Sequence, residues 1–232
     1  MLYYASVKTL YEDENFVGFL KPAGVPTTFG EQKGCFLEEV RKERPNLFSF
    51  AGFREEEGGL LYRLDNETGG LLMFAKNREA FLRFTNDQNL QKIYVAEVCD
   101  WGRLEEQGTI NYPIVHKSGK KMAVLRGGRK VQHRGKPIEC STSYERVAGA
   151  LCARAQSAGK CVRCAITKGA RHQIRVHLAA MGAPIIGDDL YSAGGVCSQE
   201  QDAEKIDGLH LYCIGIWSGF LHVQIDERVF SD

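Results

Sequence analysis

The chain has 232 residues, 44% of them hydrophobic and 25% charged, with a formal net charge of +1. Those proportions exclude a disordered polyelectrolyte and leave one large packed domain or two small ones. No run of about eighteen apolar residues occurs, which excludes a spanning helix. The N-terminus MLYYASVKTLYEDEN lacks the basic start, apolar centre and cleavage site of a secretion signal, so a cytoplasmic protein is expected.

In chain order, strands are predicted at 15–20, 70–76, 92–98, 138–147, 151–156, 160–167, 209–216 and 220–225, from β-branched and aromatic runs bounded by turn residues. The turns include Lys21-Pro22-Ala23-Gly24 and Ser157-Ala158-Gly159. A short helix is predicted at 35–43, with Phe36 and Val40 inward. A second follows Asn77 as N-cap, with Ala80, Phe81 and Phe84 on one face. A third runs from about Arg171 to Met181 on a stripe of Ile174, His177, Leu178 and Met181, stopped by Gly182. Residues 112–138 read as an exposed strand-loop arm rich in Gly and Lys. The expected fold is α+β, a single domain with a central mixed, mostly antiparallel sheet flanked by a few helices.

The modest net charge hides a segregation. Between Gly108 and Gly187 stand 15 Lys or Arg against only Glu139 and Glu145, a local net of +13, while the rest of the chain carries −12. A one-signed field of that kind attracts a polyanion, unless folding interleaves the basic and acidic segments.

Eight cysteines are present, and only Cys161 and Cys164 are close in sequence. With no second close Cys or His pair, and with the two falling on opposite faces of a strand, no metal is expected. The cysteines read as reduced thiols acting as small hydrophobes. Phosphate-loop, His-Glu-x-x-His and Gly-x-Ser-x-Gly patterns are missing, so no cofactor is expected and chemistry must rest on side chains.

Two stretches carry that chemistry. In Tyr62-Arg63-Leu64-Asp65-Asn66-Glu67-Thr68-Gly69-Gly70, an aspartate stands where a loop passes into an apolar strand. A partly buried carboxylate there requires a cation or several donors, for which Arg175 and Arg63 are candidates; the other reading is an Asp that merely closes a turn. In Lys168-Gly169-Ala170-Arg171-His172-Gln173-Ile174-Arg175, a glycine turn feeds a helix whose first turn is cationic, a ready anion site. Arg171 and Arg175 fall four apart, where like charges repel unless an anion sits between them.

Taken together, these stretches resemble the RluA-type family of RNA pseudouridine synthases. Lys21-Pro22-Ala23-Gly24 resembles the family's opening turn, and Tyr62-Arg63-Leu64-Asp65 with Thr68-Gly69-Gly70-Leu71 its catalytic motif. Lys92-Ile93-Tyr94-Val95-Ala96 resembles its Lys-x-Tyr-x-Ala strand. His172-Gln173-Ile174-Arg175, followed by Gly187-Asp188 and Tyr191, resembles its closing motifs. Tyr62 stands for the usual His, Gly69 for Ser, and Ala170-Arg171 for the usual Arg followed by Ser or Thr.

The resemblance implies a cofactor-free isomerase that flips a uridine out of structured ribosomal or transfer RNA. It makes Asp65 the catalytic carboxylate, either attacking the anomeric carbon or removing the neighbouring ribose proton. Arg175 would pair with Asp65, and Tyr94 would stack on the base. RNA contacts are expected from Arg63, Arg171, His172 and Gln173, and from the arm residues Lys117, Lys120, Lys121, Arg126, Arg129, Lys130, Arg134 and Lys136. With the opening turn at residue 21, the separate N-terminal RNA-binding domain of many relatives is not expected, and a monomer is expected. The alternative is an RNA-binding or RNA-folding factor on the same fold, without turnover.

Overall fold

The computed structural model describes residues 6–29, 34–117, 119, 121–127, 131–147, 160–192, 208–226 and 229. Its elements in chain order are β1 (Thr9–Glu12), β2 (Phe16–Lys21), α1 (Phe36–Glu43), two 3-10 turns (Pro45–Phe48 and Glu55–Glu57), β3 (Gly69–Ala75), α2 (Arg78–Thr85) and β4 (Gln91–Val98). Then come β5 (Gln107–Ile110), β6 (Ile114–His116), β7 (Met122–Val124), β8 (Arg134–Ile138), β9 (Thr142–Val147), β10 (Lys160–Ile166), α3 (Gln173–Ala180), β11 (Leu211–Trp217) and β12 (His222–Gln224). The strand expected at 151–156 lies outside the described residues.

Two compact units emerge, one of residues 1–90 with 212–226 and one built chiefly of 91–211. In the first, β1, β2 and β3 pair antiparallel in that order, β3 runs parallel to β11, and β12 closes antiparallel on β11. Every residue of β3 is buried, as its uninterrupted Gly-Gly-Leu-Leu-Met-Phe-Ala run requires of a strand covered on both faces. Helix α2 starts where Asn77 accepts from the Ala80 amide at 2.9 Å, and it buries Ala80, Phe81 and Phe84 as its spacing predicts.

In the second unit the order is β4-β10-β9-β5, all antiparallel, with Tyr94 opposite Cys164. A separate sheet, β7-β6-β8, forms the arm. The fold is therefore α+β with a mixed, mostly antiparallel sheet, the parallel pairing described being β3 with β11.

Three expectations are corrected. The arm is only partly exposed: Ile114 and Met122 form a core with Val176 of α3. Helix α3 begins at Gln173, because His172 takes a left-handed backbone (φ 54°) that no helix continues through. Arg171 thus precedes the helix and is exposed while Arg175 is buried, so no anion is needed between them. Finally, Cys99 is disulfide-bonded, which overturns the reduced-thiol reading for that residue. Cys35, Cys140, Cys161, Cys164 and Cys213 are thiols outside any disulfide. Cys161 and Cys164 are both fully buried, because β10 is covered on both faces, and burial pushes the Cys164 thiol up to about 12.

Candidate active site

Asp65 lies in the loop that leads into β3 and is half-buried, between exposed Arg63 and exposed Asn66. Its backbone is held on both sides by the 21–27 turn. Thr27 Oγ1 donates to the Leu64 carbonyl at 2.7 Å and accepts from the Leu64 amide at 3.2 Å. Lys21 Nζ donates to the Asn66 carbonyl at 3.2 Å, and to those of Val25 and Pro22 at 2.6 and 2.8 Å. Within the loop, Thr68 N donates to the Asp65 carbonyl at 3.1 Å. The residues flanking Asp65 are thereby fixed before any ligand arrives, which is what a reacting carboxylate requires.

Lys21 is fully buried. Burial pushes its ammonium down to about 7, against the opposing attraction of Asp65 and Glu67. Sequence reasoning missed both anchors, because Lys21 and Thr27 read as ordinary residues of a surface turn.

The departures at Tyr62 and Gly69 have local causes. Tyr62 is buried, donates to the Leu71 carbonyl at 2.7 Å and stacks on Phe84. A Cβ at Gly69 would stand 3.1 Å from the Tyr212 ring and 3.3 Å from the Ala23 amide nitrogen. At Gly70 (φ 118°) it would stand 2.2 Å from the Cys213 carbonyl oxygen, so parallel pairing with β11 demands glycine there.

In the second unit, Tyr94 is buried on β4. Arg175, in the first turn of α3, is also buried and donates through Nε and Nη2 to the two carboxylate oxygens of Asp188, each at 2.8 Å. Asp188 Oδ1 accepts further from the amides of Leu190 and Tyr191 at 3.0 and 3.2 Å. That is an internal partner the sequence reasoning quoted in a motif without giving it a role. The signal was available: a guanidinium this deep needs a planar carboxylate, and Asp188 is the acid nearest it in the chain.

His172 and Gln173 are buried with internal partners. His172 Nδ1 bonds Tyr191 Oη at 2.8 Å. Gln173 accepts from the Ala170 amide at 3.0 Å and donates to the Ser141 carbonyl at 2.8 Å. His177 is fully buried between Thr142 Oγ1 (2.8 Å) and the Tyr112 carbonyl (2.9 Å), and burial lowers its pKa.

The basic block divides in two. Arg163 and Lys160 pair with Glu145 and Asp100, and Arg175 with Asp188. Arg126 reaches the carbonyl of Ala180 at the end of α3, as does Arg103 at 2.6 Å, where cations suit a helix C-terminus. By contrast Lys117, Lys121, Arg134, Lys136 and Arg171 are exposed. Lys120, Arg129 and Lys130 lie outside the described residues. No helix among the described residues is long and apolar enough to cross a membrane.

Residues 15–180 match the family described as RNA pseudouridylate synthase. The chain is 30% identical over 194 residues to "Ribosomal large subunit pseudouridine synthase D" of Nitrosomonas europaea, covering 80% of this chain and 49% of that one. It is 30% identical to "Dual-specificity RNA pseudouridine synthase RluA" of Vibrio vulnificus, covering 80% of this chain and 69% of the relative. The chain spans about half the length of the first curated relatives it matches. Among solved structures, "Human RNA Pseudouridylate Synthase Domain Containing 4" superposes with a TM-score of 0.68 at 20% identity, covering 94% of this chain and 88% of that one.

Proposed function

The chain belongs to the RNA pseudouridylate synthase family, and on that premise we propose that it isomerises uridine in structured RNA to pseudouridine with Asp65 as the catalytic carboxylate. The observation that carries this reading is the anchored loop: a half-buried aspartate whose neighbours on both sides are tied by Thr27 and Lys21 to one turn.

The reaction breaks the bond between uracil N1 and the ribose, rotates the base and rejoins it through C5, whose proton is released while N1 gains one. Asp65 either attacks the anomeric carbon or takes the neighbouring ribose proton, and both routes split one hard step into two. Neither requires an electron or group donor, so no cofactor enters the proposal. Tyr94 stacks on the extruded uracil, and its phenol can carry a proton. Arg175 supplies positive charge. The resemblance implies that it pairs with Asp65, in addition to the grip of its Nε and Nη2 on Asp188.

Extruding the uridine costs a few kcal/mol, which phosphate contacts from exposed Lys117, Lys121, Arg134, Lys136 and Arg171 offset. Arg63, exposed two residues before Asp65, meets the backbone or fills the space the base leaves. Two relatives are named for ribosomal large-subunit and for dual-specificity modification. The first of these names supports ribosomal RNA as the substrate, with transfer RNA the alternative that the family resemblance implies, and the proposed enzyme is a cytoplasmic monomer.

RNA tritiated at uridine C5 tests the proposal. The protein should release label and Asp65→Asn should not; release that survives in the variant overturns the role of Asp65. Pseudouridine mapping in total RNA from cells with and without the gene identifies the site. An unchanged map, together with salt-sensitive RNA binding, would point to a binding factor instead.

A further inference from the structure

The segment after Asp188 reaches in two directions. Asp188 grips Arg175, and its Oδ1 also takes the amides of Leu190 and Tyr191, so the backbone at Tyr191 is built onto the same carboxylate that holds the guanidinium. The Tyr191 ring lies 5.5 Å from the Arg175 guanidinium carbon. Its hydroxyl accepts from the Met122 amide of β7 at 2.8 Å and bonds His172 Nδ1 at 2.8 Å. A hydroxyl has one proton, so with Met122 N–H donating, the simplest arrangement is Tyr191 O–H donating to the imidazole.

The Met122 end of this chain belongs to the arm. Strand β7 is the edge of the β7-β6-β8 sheet, and Lys117 N donates to the Lys121 carbonyl just before it. Antiparallel bonding alternates, so the Met122 amide points off the free edge, to where Tyr191 receives it. The His172 end is strained. A non-glycine residue at φ 54° persists only where its surroundings hold it, and here the ring is held by Tyr191 Oη and by edge contact with the Tyr191 ring. His172 caps α3, and Arg175 follows in the first turn.

We propose that Tyr191 is a positioning residue that couples the seating of the arm to the cradle of Arg175, so that RNA long enough to engage the arm is turned over faster than RNA that is not. This rests on the function proposed above. The arm and α3 share the Ile114, Met122 and Val176 core. A shift of β7 on RNA therefore bears on the Tyr191 hydroxyl, on the left-handed turn at His172, and on the loop whose carboxylate holds Arg175.

The test uses two transcripts: the hairpin found by mapping with its flanking helix, and the same hairpin cut back to its loop and closing pairs. Wild-type kcat should favour the longer RNA by about tenfold, and Tyr191→Phe should reduce that preference to within about twofold, an ordinary coupling between sites. The KM for the short RNA should stay unchanged, and the melting curve shows that the variant is folded. Hydrogen exchange gives a second readout that needs no turnover and no variant: binding of the longer RNA should slow exchange in segments 121–124 and 188–192 together. Equal loss on both RNAs, a preference that survives in Tyr191→Phe, or protection of 121–124 alone would overturn the coupling. A wild type that binds RNA but forms no pseudouridine overturns the proposed function instead, and exchange measured with a long and a cut-back version of any RNA hairpin it binds still decides the coupling.

Discussion

Arg175 and Asp188 form a buried, two-pronged ion pair, with both N–O distances at 2.8 Å and side-chain exposures of 2% and 0%. The geometry matches fork to fork, and the carboxylate's remaining capacity is filled by the Leu190 and Tyr191 amides. Breaking such a pair from one side leaves a charge stranded in the interior. Asp188→Asn should lose about 3–5 kcal/mol of unfolding free energy in urea. Replacing both partners by Met and Leu should cost clearly less, because no orphaned charge is left. A single variant as stable as the wild type would show that the pair contributes little.

Gly70 makes a sharper claim than Gly69, although they are neighbours in one strand. At Gly70 an alanine Cβ would press 2.2 Å from the Cys213 carbonyl oxygen on a backbone at φ 118°. Gly70→Ala should therefore lose on the order of 3 kcal/mol or more, from strain and overpacking together. At Gly69 the nearest atom is 3.1 Å away on a side-chain ring that can give, so Gly69→Ser should cost about 1 kcal/mol. Thermal melts of the two variants compare them directly.

Lys21 and His177 predict how stability depends on pH. Both are bases whose folded pKa is depressed by burial, Lys21 to about 7 from 10.5. Between pH 7 and 10.5 the unfolded chain binds a proton at Lys21 that the folded chain does not, so this group adds stability as pH rises. Denaturant titrations at pH 7 and 10 should show the wild type gaining roughly 3 kcal/mol relative to Lys21→Met. A parallel pH dependence in the two proteins would refute it. His177 has the same sign in a lower window: unfolding takes up a proton as pH falls below its ordinary 6.5, so stability falls there. His177→Gln should flatten the curve between pH 6.5 and 5.

The exposed arm cations predict a salt signature. If Lys117, Lys121, Arg134 and Lys136 meet phosphates, replacing all four by Gln should lower the slope of log affinity against log salt by about 3. Substituting Lys160 and Arg163, which face Asp100 and Glu145, should leave that slope nearly unchanged. Filter binding of an RNA hairpin across a salt series measures both.

Local pattern carried much of the fold. The unbroken apolar run of β3, the Asn77 cap of α2 and the Gly182 stop of α3 were legible because each depends on residues within a few positions. The half-buried state of Asp65 was only one of two local readings, since the polar residues between it and β3, Asn66 and Glu67, are exposed and an Asp that closes a turn fits the same pattern. The start of α3 was misread by two residues, because the left-handed turn at His172 is held by Tyr191, nineteen positions away. The arm was read as exposed because its Lys and Gly content hid the few apolar residues that pack on Val176.

By itself, then, the sequence determined the three helices, most of the longer strands, the segregation of charge and the motifs that place this chain in its family, since these are written in short-range spacing. The short strands β1 and β5 and the break between β8 and β9 were not read from it. Tertiary structure alone decided which charges are spent internally. Lys21 is buried rather than solvated because carbonyls from Pro22, Val25 and Asn66 surround its ammonium. Arg175 faces Asp188 because a loop folds back thirteen residues to meet it. Pairing and burial depend on which atoms displace water around a charge, and that is settled only when distant segments meet.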